Sequence, residues 1–138
     1  MEPFAPYSHA IVSMAGFALF GLLINPLTAV AKMRKGHAAG GTPVEDYADP
    51  VYRFNRAYLN ITETMGFFLA TTVAAILAGV DPAWVNWLAS IFLVSRLLVA
   101  VVHIGGIPPQ NFGPRTFLFV VGWLCCVING VLAIGTVF

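Results

Sequence analysis

Arg56, Asn60 and Glu63 stand inside the run RAYLNITET, a segment otherwise apolar enough to span a bilayer. With Arg53 they fall within roughly 80° of one another at 100° per residue, so a narrow polar stripe runs down an apolar helix. A mid-membrane Glu or Arg is unfavourable by about 2.5 to 3.5 kcal/mol on insertion scales, so each group must meet a partner, a water-filled cavity or a ligand. Glu63 lies about 18 Å along the helix from Val51, well inside the hydrocarbon zone. An ionisable group at that depth marks a candidate site.

A second group lies in the next apolar block. Arg96 sits in the middle of it, and His103, seven residues on, shares its face within about 20°. Glu63 and Arg96, each costly alone, are expected to pair in the bundle interior, with Asn60 completing the network. Arg53, Arg56, Arg115 and Arg34 converge near one end of the apolar blocks, an arrangement suited to a small polyanion carrying carboxylates. Blander readings compete with these. The buried cluster can serve as helix glue, Lys32, Arg34 and Lys35 as topology signals, Arg115 as a snorkelling anchor, and His103 as an interfacial histidine.

The elements that must position these residues follow from composition. The 138 residues are 59% hydrophobic and only 9% charged, and the mean hydropathy is +0.83, too apolar for an ordinary soluble domain. Four apolar blocks, at roughly 8 to 31, 51 to 79, 83 to 106 and 115 to 137, each meet the ~20 residues a crossing needs. The expected fold class is an all-α integral membrane protein, a four-transmembrane-helix bundle forming one domain over residues 1–138. No Lys or Arg precedes the first block, so it is expected to stay as a helix rather than be cleaved as a signal peptide.

Between the first two blocks lies the long polar stretch, residues 32–50, rich in Gly and ending in Pro50. Six of the seven basic residues lie at that membrane face, which makes it cytoplasmic by the positive-inside rule and puts both termini on the opposite side. Asn25-Pro26 predicts a kink rather than a stop in the first helix. Asp81-Pro82 predicts a tight turn with Asp as N-cap and Pro as first helical residue. Trp84 and Trp87 suit a membrane interface. The segment GGIPPQNFGPR predicts a structured turn ahead of the fourth helix. Cys125 and Cys126 read as packing residues. The three His and two Cys have no ligand-like spacing, so no metal is expected. No basic patch is large enough for nucleic acid.

The pattern RAxxNxxE at Arg56 to Glu63, preceded by Arg53, resembles the second helix of the MAPEG family, the membrane-associated proteins in eicosanoid and glutathione metabolism. The intramembrane Arg96 and the Arg115 that opens the fourth helix agree with it by position. The resemblance implies a homotrimer in membrane lipid, with glutathione as cosubstrate bound between neighbouring subunits near the cytoplasmic face. It assigns Arg53, Arg56, Asn60 and Glu63 to the glutathione stripe and, more loosely, Arg34 to a first-helix Arg that reaches the tripeptide; Arg96 and His103 would also bind glutathione, His103 as a hydrogen-bonding wall of the site. Arg115, with Thr116 beside it, would stabilise the thiolate. A thiol has a pKa near 8.5, and lowering it by about two units is worth ~2.7 kcal/mol. The thiolate would then attack a hydrophobic electrophile or reduce a lipid hydroperoxide. The family's third helices commonly place His or Tyr three residues after the Arg and Tyr seven after it, where this chain has Val99 and His103. Two alternatives differ in class. One is a non-catalytic four-helix membrane protein that uses the fold for assembly or partner binding. The other is a four-helix multidrug transporter, disfavoured because Arg53, Arg56 and Arg96 around Glu63 would repel a cationic substrate.

Overall fold

A computed structural model of the chain describes residues 2–108 and 112–138. After a short 3-10 segment, Glu2–Tyr7, come four α-helices: α1 Ser8–Arg34, α2 Pro50–Leu77, α3 Pro82–Gly105 and α4 Pro114–Val137. All four are long and apolar enough to cross a membrane, and the described residues form no strand. Part of the turn expected in GGIPPQNFGPR, residues 109–111, lies outside the described residues.

Local chemistry sets the helix ends. The last three helices begin on Pro50, Pro82 and Pro114, because proline lacks only an amide that the first turn leaves unpaired anyway. The Asp49 and Asp81 carboxylates accept from the amides of Val51 and Ala83 at 2.9 and 2.8 Å, each satisfying an orphan donor. α2 stops where Gly79 turns to φ +75 and the Val80 amide reaches back to the Ala75 carbonyl at 3.1 Å, a Schellman closure. α1 runs on to Arg34, past the boundary expected at 31. Its last turn carries Lys32 and Arg34, whose charges favour a helix C-terminus. The helix continues through Pro26.

α3 is the central helix and packs on α1, α2 and α4. Between hydrocarbon chains, helices gain little from burying apolar surface, so close packing and polar contacts hold them. Phe68 and Phe92 stack with centroids 3.8 Å apart, and Phe17 of α1 meets both rings edge-on. At the far end the Tyr7 hydroxyl donates to the Val80 carbonyl at 2.7 Å. Asn86 there takes the Ala10 amide at 3.0 Å and donates to the Pro6 carbonyl at 2.7 Å. Cys125 and Cys126 are free thiols buried in the core.

Candidate functional site

The loop-side ends of α2, α3 and α4 converge on one polar cavity of about 180 Å3. Arg56 and Asn60 come from successive turns of α2, Val99 and His103 from successive turns of α3, and Arg115, Thr116 and Phe119 from the start of α4. Four-residue spacing on a helix puts each pair on one face, which is how three apolar helices aim their polar groups at one space.

Arg115 contacts both α3 and the connecting loop. Its Nη1 lies 3.2 Å from His103 Nε2 and 3.3 Å from the Tyr47 hydroxyl oxygen. Arginine only donates, so both atoms accept, and the ring proton of His103 belongs on Nδ1. His103 is buried at 6% exposure, and the Tyr47 ring lies nearly parallel to it at 15°.

The other predicted residues take separate positions. Arg56 donates to Glu63 at 2.8 Å, and the Glu63 side chain is 52% exposed. The pair spans two turns of one helix, so Glu63 meets Arg56 and not the Arg96 expected from the sequence: a cation on the same face is nearer than one across a helix interface. Arg96 is 2% exposed, sandwiched 4.4 Å from the Phe119 ring centre and 5.1 Å from that of Phe92. It donates to the Phe119 carbonyl at 3.1 Å. Its Nε and Nη1 have no hydrogen-bond partner among the described residues, and the ring faces compensate part of that cost. Arg96 and Glu63 both border a second, apolar cavity of about 530 Å3 between α2, α3 and α4, and Phe119 borders both cavities.

Arg53 is committed to carbonyls: Nη1 donates to Tyr47 at 2.7 Å and Ala48 at 3.0 Å, and Nε to Ile104 at 3.3 Å. Arg34 is exposed on α1 and lines neither cavity. Its neighbours tie down the connecting loop, Lys32 donating to the Gly41 carbonyl at 3.0 Å and Lys35 pairing with Asp49 at 2.9 Å. The Lys35 ammonium and the Val51 amide hold the Asp49 carboxyl below its ordinary value. Tyr47, from the loop, was not singled out by periodicity. The one sequence cue is an aromatic residue just ahead of the Asp-Pro helix start.

A polar cavity lined by Arg and Asn at one end of a four-helix apolar bundle is the setting in which the chain's match to a family model can be read. That match is to the MAPEG family model and runs over residues 12–135. The chain belongs to the MAPEG family. Comparison with curated proteins finds no significant match, and neither does comparison with solved structures. This MAPEG protein is therefore a multi-pass membrane protein of the glutathione and eicosanoid metabolism type, and its own chemistry has to be argued from its cavity.

Proposed function

We propose that this MAPEG protein is a membrane-bound glutathione-dependent transferase or peroxidase whose nucleophile is a glutathione thiolate held by Arg115, with Thr116 beside it. The carrying observation is that Arg56 and Arg115, from different helices, face one cavity with Asn60, His103 and Thr116. Glutathione offers two carboxylates for guanidinium forks, amides for Asn60 and a thiol for Arg115. Arg115 lies in the first turn of α4, where the helix N-terminus adds to its pull on an anion.

The thiol gives its proton to water. The thiolate then either bonds an electrophilic carbon, which expels its leaving group or, at an activated double bond, leaves the neighbouring carbon to take a proton from water; or it takes the terminal hydroxyl of a hydroperoxide as the O–O bond breaks, giving a sulfenic acid and an alkoxide that takes a proton back from water to become the alcohol. A second glutathione then converts the sulfenic acid to a disulfide and water. The apolar cavity that shares Phe119 with the polar one suits the hydrophobic partner, entering from lipid.

At about 180 Å3 the polar cavity is smaller than the roughly 300 to 1,000 Å3 of common ligand sites. A neighbouring subunit would complete it. That supports an oligomer, and in the homotrimer that the family resemblance implies the exposed Arg34 and Glu63 would meet a neighbour. Arg53 would then serve by holding the loop and Arg96 by packing. The first loop and the site would face the cytoplasm and both termini the other side.

The test is calorimetric titration of the detergent-purified protein with glutathione, together with an ultraviolet scan for the thiolate band and an Arg115→Ala control. Binding with a band that disappears in Arg115→Ala is the expected result. Binding without a band favours the non-catalytic alternative, and no binding at millimolar glutathione overturns the glutathione reading.

A further inference from the structure

Among the described residues that line the polar cavity, Tyr47 comes from outside the four helices. Several contacts fix where it stands. Arg53 grips its carbonyl at 2.7 Å and that of Ala48 at 3.0 Å, while Nε of the same guanidinium donates to Ile104 at the end of α3. Gly106 leaves room for this arrangement: a Cβ there would lie 2.9 Å from Arg53 Nε, and its φ of +65 is one that other residues rarely adopt. Two residues on, Asp49 caps α2. The Tyr47 ring lies along His103, and the Tyr52 ring meets it edge-on at 5.1 Å.

We propose that Tyr47 is a binding residue of the anion site, its hydroxyl accepting from Arg115 and donating its own proton to the anion that Arg115 holds, with Arg53 as its positioning residue. The inference rests on the reading of the cavity as a thiolate site. A phenol has one proton, and lone pairs enough to accept from Arg115 while that proton is given elsewhere. A hydrogen bond to a charged group is among the stronger ones in proteins. Hydroxyl and guanidinium therefore act on one anion together, and the loop that carries Tyr47 becomes part of the site.

Tyr47→Phe keeps the ring against His103 and removes only the hydroxyl. The measurement is an ultraviolet titration of protein-bound glutathione across about pH 5 to 9, with melting temperature and glutathione affinity recorded beside it. The expected result is a rise of about one unit in the bound thiol's apparent pKa, a roughly threefold loss of thiolate at pH 7 from a starting value near 6.5, with the melting temperature unchanged. Arg53→Gln, which frees the loop carbonyls, should move the titration in the same direction. A Tyr47→Phe curve within about 0.2 unit of the wild type overturns the phenol's role, and an unmoved Arg53→Gln curve overturns the positioning. Absence of a thiolate band in the wild type itself overturns the parent reading and this inference with it, so the two failures are distinguishable.

Discussion

Arg115 and Arg96 both carry a guanidinium into the interior of the bundle, from adjoining helices, yet the protein treats them in opposite ways. Arg96 is closed in between the rings of Phe92 and Phe119, with one carbonyl as acceptor. Gly122 lets α4 approach so closely that a Cβ there would lie 2.6 Å from Ser95 Oγ and 3.0 Å from Arg96 Nε. Arg115 stands at the edge of an open cavity, and its contacts include neutral acceptors, a ring nitrogen and a phenol oxygen. Neutral acceptors orient a cation without cancelling its charge. A cation inside the bundle can therefore be closed in between rings or stand half-buried at the edge of a cavity, and its neighbours decide which.

The largest effect that distinguishes the two should come from Arg115→Ala. If Arg115 supplies about two units of thiol acidification, its removal leaves roughly 25-fold less bound thiolate at pH 7, with little change in the melting temperature in detergent. Arg96→Ala should do the reverse. Losing a fully packed side chain costs roughly 2 kcal/mol of stability, read from denaturation in mixed micelles, while the bound thiol titrates as in the wild type. A folded Arg96→Ala protein without thiolate would erase the distinction, because Arg96 would then be part of the anion site. Gly122→Ala sharpens the same contrast: pushing a methyl against a clamped guanidinium should cost about 1 to 2 kcal/mol, again without moving the thiol titration.

Length and hydropathy made the four spans legible, since a crossing helix needs an uninterrupted apolar run and nothing else in the chain resembles one. The end of α1 was harder. Lys32 and Arg34 read as loop residues, but Lys32 buries its stem and sends its ammonium back to Gly41, so the helix keeps three more residues. Within the site, periodicity placed Arg56 and Asn60 on one face of α2, where the structure has both lining the polar cavity. It could not choose between partners for Glu63, because that depends on how far apart two helices stand. The sealing of Arg96 depends on how closely α4 approaches α3, which Gly122 permits and no single helix reveals. Tyr47 was out of reach for a simpler reason: a loop has no period from which the direction of a side chain follows.

The smallest effect concerns the anchor that holds this loop. Lys35 and the Val51 amide stabilise the ionised form of Asp49, holding its carboxyl below the ordinary 3.8. A folded-state pKa below the unfolded one means that the folded protein binds the proton less readily. The contribution is thus present above the ordinary value, declines as the pH falls below it, and is gone below the folded-state pKa. Asp49→Asn keeps an N-cap oxygen for Val51 and removes only the charge. Melting temperatures of the two proteins should differ slightly at neutral pH, more at low salt than at high, and coincide in acid below the folded-state value. The same substitution should shift the bound-thiol titration far less than Tyr47→Phe, because Arg53 still holds the Tyr47 carbonyl. A shift as large would mean that the ion pair, rather than Arg53, sets the position of the phenol.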